Sequence, residues 1–139
     1  MSSAETLTDA NEGAVVETTV GRMRGLREGA VHQFEGIRYG ASTEGAARFL
    51  PPQPVSAWTG VRDAIGYGPS APQHHNQMPG NYPGTPPPIH PAYKWYWSDE
   101  PIGEDCLSLN VFTTSVNDAA KRPVMVWLHG GAFANGAVT

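Results

Sequence analysis

The sequence predicts a strand-rich stretch of an α/β fold, on three observations. The run Val124-Met125-Val126-Trp127-Leu128 is wholly apolar and lies between Pro123 and Gly130, the pattern of a strand buried on both faces of a sheet. Leu107-Ser108-Leu109-Asn110-Val111-Phe112 alternates apolar and polar residues over its first five positions, the pattern of a half-buried strand. No segment keeps helical periodicity over ten or more residues. A sheet buried on both faces is usually covered by helices, so either another chain supplies that cover or the sequence is an incomplete domain.

Composition narrows the class. The chain has 139 residues, enough for one domain, and 16 Gly with 13 Pro make up about a fifth of it. Hydrophobic residues are 40% and charged residues 16%, too apolar for a disordered chain and too weakly charged for a coiled coil. The net charge is −4 without any Lys/Arg cluster, which argues against a nucleic-acid surface. No apolar run approaches the roughly 20 residues of a membrane helix, so no membrane partner is expected. The first residues carry Glu5, Asp9 and Glu12 before any Lys or Arg and do not resemble a signal peptide. A single cysteine, Cys106, excludes an internal disulfide framework and fits a reducing compartment such as the cytoplasm.

Residues 1–13 read as a small, polar, acidic leader, and residues 14–139 as the domain portion. Val15 to Val20 is rich in β-branched residues and is broken by Gly21. Arg22 to Leu26 follows, Arg27-Glu28-Gly29 reads as a turn, and Ala30 to Phe34 as a return strand, giving a small antiparallel meander. Residues 41–64 read as loop, because Pro51, Pro52 and Pro54 forbid a helix across them, and Trp58 reads as the loop's anchor. The stretch from Pro69 to Pro101 holds nine of the prolines together with Tyr82, Tyr93, Trp95, Tyr96 and Trp97. So many aromatics predict a long loop packed on something rather than a free linker. Val116 to Lys121 reads as a polar turn around Asn117 and Asp118.

The strongest chemical signal follows the apolar run: His129-Gly130-Gly131-Ala132-Phe133. Glycines there let the backbone turn sharply, and successive free N–H groups can hold an oxyanion. A plain strand-ending turn would look the same. His74, His75 and His90 lack the spacing of a metal site and read as a polar loop tip. No metal or cofactor is called for.

Arg122 to Phe133 resembles the oxyanion segment of the type-B carboxylesterases, which include the cholinesterases. Glu104-Asp105-Cys106-Leu107-Ser108-Leu109-Asn110-Val111-Phe112 resembles that family's second signature. Phe34-Glu35-Gly36-Ile37, Arg48-Phe49 and Trp58-Thr59-Gly60-Val61-Arg62-Asp63-Ala64 match in order, and the last continues through Tyr67-Gly68-Pro69 to Ala71-Pro72-Gln73. The resemblance implies the N-terminal, strand-rich part of an α/β-hydrolase fold and hydrolysis of small-molecule carboxylic esters by a serine nucleophile. That nucleophile sits in a Gly-x-Ser-x-Gly elbow, and no serine here is so flanked. The triad is therefore expected outside this sequence, and the remainder of the esterase domain is needed for activity.

By the same resemblance the oxyanion hole falls on Gly130, Gly131 and Ala132. Gly130 shapes the turn, and Gly131 and Ala132 supply the N–H donors. His129 precedes the loop, whereas the triad histidine comes last in chain order, so its role is structural. Phe133, Trp95 and Trp97 border the substrate gorge, although packing that pins the loop explains the tryptophans equally well. The resemblance implies that Glu104 pairs with Arg48, shielded from solvent; a site shared with Asp105 is disfavoured separately, because adjacent strand residues face opposite ways. Cys106 matches a position that often forms a disulfide, but Ala71 to His75 offers no partner, so a buried inert thiol is expected. Two departures stand out: Arg38 replaces a usual proline, and Ala41-Ser42-Thr43-Glu44-Gly45 replaces a proline-rich turn. A non-catalytic, cholinesterase-like interaction or ligand-binding module is the alternative reading.

Overall fold

A computed structural model of the chain describes residues 13–73, 101–130 and 136–137. The expected leader, apart from Gly13, and most of the proline-rich aromatic stretch lie outside the described residues. Among the described residues six strands form two three-stranded sheets: β1 (Val15–Thr18), β2 (Gly21–Arg24) and β5 (Val61–Asp63) in one, β3 (Leu26–Glu28), β4 (Val31–Arg38) and β6 (Ser108–Thr113) in the other. Helical structure among the described residues is one 3₁₀ turn, Gly45–Ala47.

The expected meander forms as two hairpins that belong to different sheets. β1 pairs antiparallel with β2, and β3 with β4, but β2 and β3 are not partners. The division falls at Gly25, whose N–H donates to the Ala14 carbonyl in the first sheet (3.1 Å), while the next residue, Leu26, pairs with Gln33 in the second. Thr18 closes the first hairpin. Its hydroxyl donates to the Gly21 carbonyl (2.6 Å) and accepts from the N–H groups of Val20 and Gly21. The second hairpin turns through Gly29 and Ala30, one residue beyond the expected turn.

β4 is the organising strand. Between the pairs Phe34–Val111 and Ile37–Leu109, two β4 residues oppose the single residue Asn110, which defines a β-bulge. Gly36 occupies it at φ +66°, a conformation that favours glycine, and a Cβ there would also run into the Gly66 carbonyl. The Asn110 side-chain carbonyl accepts the freed Gly36 N–H (2.9 Å). The bulge lets Glu35 bridge to the segment after β5: its N–H donates to the Ala64 carbonyl (2.9 Å), and the Ala64 N–H donates to Arg24 (2.7 Å). This short segment thereby joins the two sheets. At that junction lies the core of Met23, Phe34 and Ala64, with Val16, Ile37, Trp58 and Val116 against it.

Trp58 anchors its loop as expected. Its Nε1–H donates to the Arg22 carbonyl (2.9 Å) and its backbone N–H to the Val20 carbonyl (2.9 Å). The Arg62 guanidinium stacks 4.4 Å over the indole, a cation–π contact. β6 confirms the alternating strand, displaced by one residue toward the C-terminus.

The expected central strand does not form. Residues 124–128 have no strand partner among the described residues, and Met125 and Trp127 are 95% and 78% exposed. Strand geometry needs ladder hydrogen bonds from a neighbour, and an apolar run is buried only where another surface meets it. No described segment provides either to 124–128.

Candidate active-site loop and its supports

Of the expected site residues, Gly130 lies within the described part of the chain, and Gly131, Ala132, Phe133, Trp95 and Trp97 lie outside it. Gly130 is exposed. His129 is exposed too, and its Nδ1 lies 2.6 Å from the Gly130 carbonyl oxygen, so this nitrogen carries the proton and donates. That contact closes the His129 ring onto the backbone at the entry to the glycine segment.

The exit of the segment is also held. The Gly136 N–H donates to Gln73 Oε1 (2.9 Å), and Gln73 Nε2 donates to the Gly136 carbonyl (3.0 Å). Gly136 adopts φ +126°. A Cβ on it would sit 2.6 Å from the Gly130 carbonyl oxygen and collide with the His129 ring. The residues on either side of the glycine segment are therefore in close contact. Gln73 belongs to the ordered match Ala71-Pro72-Gln73, but its separation of 63 residues from Gly136 leaves this contact without a signal in the sequence.

The Glu104-Asp105 stretch is pinned on two sides. Arg48 grips Glu104 with two bonds, Nε to Oε1 at 2.5 Å and NH2 to Oε2 at 2.7 Å, and the Thr43 hydroxyl donates to the Glu104 carbonyl. Arg38 pairs with Asp105 (2.6 Å) and also donates to its carbonyl oxygen. The two carboxylates thus face different arginines, and Glu104 has the partner expected of it. The expected shielding is not found: the Arg48 side chain is 55% exposed and Glu104 29%. Arg48 follows the 3₁₀ turn and Glu104 precedes β6, and solvent reaches both side chains where these two segments meet. Hydrogen bonding from Arg48 holds the Glu104 carboxyl below the usual carboxylate range and raises the guanidinium in turn. Asp118 is held well below that range by Arg122, aided by the Ala120 N–H. This i,i+4 pair braces the turn before the apolar run.

Cys106 is a free thiol and half-buried rather than fully buried, because the segment before β6 lies at the surface. Among the described residues neither His32 nor His129 is hydrogen-bonded to a serine or cysteine, so these residues form no nucleophile–base pair. The hollow lined by Val15, Arg24, Leu26, Asp63 and Ile65 lies beside the first sheet, and its charged groups, Arg24 and Asp63, are paired with each other at 2.7 Å.

Several known proteins of similar sequence and shape carry the names of hydrolases and esterases. Phenmedipham hydrolase of Pseudarthrobacter oxydans is 39% identical over 125 residues, covering 88% of this chain and 22% of that protein. The para-nitrobenzyl esterase of Bacillus subtilis is 36% identical over 123 residues, with the same coverage of each. The crystal structure of a Geobacillus stearothermophilus carboxylesterase superposes with a TM-score of 0.65 at 38% identity, over 88% of this chain and 20% of that one. A para-nitrobenzyl esterase structure gives 0.68 at 36% identity, over 88% and 22%. The chain thus spans about a fifth of the length of the relatives it matches. Its two sheets are the strand-rich part of an α/β-hydrolase fold. Residues 12–139 match the model of the carboxylesterase family, and the chain belongs to that family.

Proposed function

We propose that this chain is the N-terminal portion of a serine carboxylesterase and contributes the oxyanion loop but not the catalytic triad. One observation carries the reading. The family's apolar run and His129-Gly130-Gly131-Ala132-Phe133 are present, while no Gly-x-Ser-x-Gly follows within a sequence that spans about a fifth of its relatives. The run 124–128, which has no strand partner among the described residues, supports it, since the rest of the domain would supply neighbouring strands and helices.

In this reading the serine attacks the acyl carbon of the ester, and the triad histidine accepts its proton. The carbonyl oxygen becomes an oxyanion that the Gly131 and Ala132 N–H groups stabilise. The alcohol leaves with the proton, and water hydrolyses the acyl-enzyme by the same route. Donors placed in advance stabilise that charge without reorganising at the moment of reaction. Phe133, Trp95 and Trp97 would line the approach of the acyl or alcohol group. The chain itself requires no cofactor for these steps.

The test compares residues 1–139 with the whole protein on a short-chain activated ester. The whole protein should hydrolyse it and residues 1–139 should not, because an oxyanion hole acts only after a nucleophile has attacked. Saturable hydrolysis by residues 1–139 that survives Cys106→Ala would overturn the reading. So would ligand binding without turnover by the whole protein, the behaviour of a non-catalytic module.

A further inference from the structure

We infer that Gln73 is a positioning residue of the glycine loop, its side-chain amide clamping the Gly136 backbone and fixing the loop's exit against its entry. The inference rests on the proposed esterase function and adds to it a residue outside the loop.

The hydrogen bonds of Gln73 use both hydrogens and the oxygen of its amide. Nε2 carries two hydrogens; one goes to the Ala71 carbonyl of its own turn (3.2 Å) and the other to the Gly136 carbonyl (3.0 Å). Oε1 accepts the Gly136 N–H (2.9 Å). A reversed amide would set its oxygen against two carbonyl oxygens, so the side chain has one workable orientation. The bond to Ala71 aims the amide even before Gly136 arrives.

The clamp stands on fixed ground. The Ser70 N–H donates to the Pro101 carbonyl and the Gly103 N–H to the Ser70 carbonyl, each at 2.9 Å. Gly68 approaches the Ser108 side chain of β6 and the Gly36 Cα of the bulge. Gln73 thus transmits the position of the second sheet to Gly136. From there the path is short: Gly136 packs on Gly130 and His129, and His129 is closed onto Gly130 at 2.6 Å. Only a residue without a side chain fits at Gly136, which couples the two necks of the loop.

Oxyanion donors must lie within about 3 Å of an oxygen that is charged only in the transition state. A loop with a loose exit binds the neutral ester nearly as well but stabilises the oxyanion less, so the loss falls on kcat rather than KM. Gln73→Glu conserves shape and keeps the acceptor for the Gly136 N–H, but sets a carboxylate oxygen against the Gly136 carbonyl. Gln73→Ala removes both bonds to Gly136 together with the one to Ala71.

The experiment measures kcat and KM of the whole esterase, as wild type, Gln73→Glu and Gln73→Ala, on a short-chain activated ester across pH. Both variants should lose about 10- to 100-fold in kcat, less than the 10²–10³ of deleting a donor outright, with KM changed less than about threefold. The Gln73→Glu to wild-type ratio should climb as pH falls toward the carboxyl range near about 4.3, because the protonated acid regains a donor. The Gln73→Ala ratio should stay flat. Wild-type kcat in Gln73→Glu, or a loss confined to KM, overturns the clamp. Should the variants not fold, amide exchange of the wild type decides: a Gly136 N–H that exchanges as fast as an open chain overturns it, and a protected one upholds it. A wild type without ester turnover overturns the functional reading, and with it any role of Gln73 in catalysis. An active wild type insensitive at Gln73 overturns the clamp alone.

Discussion

Ser108–Thr113 is laddered to β4 and carries the Asn110 side chain that receives the Gly36 bulge, whereas residues 124–128 pair with no strand among the described residues. The second segment is the more apolar of the two. The difference shows that hydrophobicity supplies the drive to be buried but not the surface that does the burying. The first segment meets a long strand, β4, and an organising bulge. The second meets neither, and its five side chains remain in solvent.

The largest effects that sharpen this contrast lie in the joined sheets. Phe34 is 3% exposed at the junction, and Phe34→Ala should destabilise residues 1–139 by about 3–5 kcal/mol, as large cavities do. Met125→Asp in the same chain should change stability by less than about 0.5 kcal/mol, the range of surface substitutions. Urea unfolding of both variants checks the pair. In the whole esterase, Met125→Asp should instead cost several kcal/mol, on the order of other buried unpaired charges. A large cost already in residues 1–139 would mean that the run is packed without its proposed neighbours.

Next is the bulge. Gly36→Ala places a Cβ at φ +66° against the Gly66 carbonyl. A loss of about 1–3 kcal/mol is expected, typical of strain at such positions. If the Gly36 turn orders β6, thermal unfolding should show the loss, and amide exchange along Ser108–Thr113 should quicken. Unchanged exchange there would separate the bulge from the ladder it is argued to organise.

The sequence made some of this legible for identifiable reasons. Alternation at 107–111 revealed β6, since side chains on a strand repeat every two residues. Trp58 was recognisable as an anchor because a large aromatic in a proline-rich loop needs a surface. The Arg48–Glu104 pair was readable only through the family's ordered motifs, and its exposure was not readable at all, because it depends on what covers the loop. The split of the meander at Gly25 was missed, since local strand propensity says nothing about which sheet a strand joins. The Gln73–Gly136 contact was missed for a related reason: a neutral amide bonding to backbone leaves no chemical signature in either segment. Arg38, which stands where the family usually has proline, makes two contacts to Asp105 from the end of β4.

A smaller effect separates burial from satisfaction. Ser70 is buried at the foot of the Gln73 turn, and its hydroxyl has no hydrogen-bond partner among the described residues. Its backbone bonds to Pro101 and Gly103 survive replacement by alanine. Ser70→Ala should therefore raise stability by about 1 kcal/mol, because an unpaired buried hydroxyl is a net cost. Denaturant unfolding reads this directly, and a loss would show that the hydroxyl has a partner.

The smallest effect belongs to the exposed Arg48–Glu104 pair, and its pH dependence identifies it. Arg48 lowers the folded-state pKa of Glu104 relative to the unfolded chain. A carboxyl so depressed contributes stability that is complete above its unfolded value near about 4.3 and disappears as pH falls through the folded value. The stability difference between wild type and Arg48→Met should therefore be constant from neutrality down to that range and shrink below it. High salt should weaken it at every pH, because the pair lies in solvent. In a double-mutant cycle, Arg48→Met with Glu104→Gln should show coupling at pH 7 and lose it in acid. The Asp118–Arg122 pair offers an internal control, since Arg122→Met should leave that cycle unchanged. Coupling that persisted in acid and resisted salt would mean that the pair is covered after all, the condition expected from the sequence and absent from the structure.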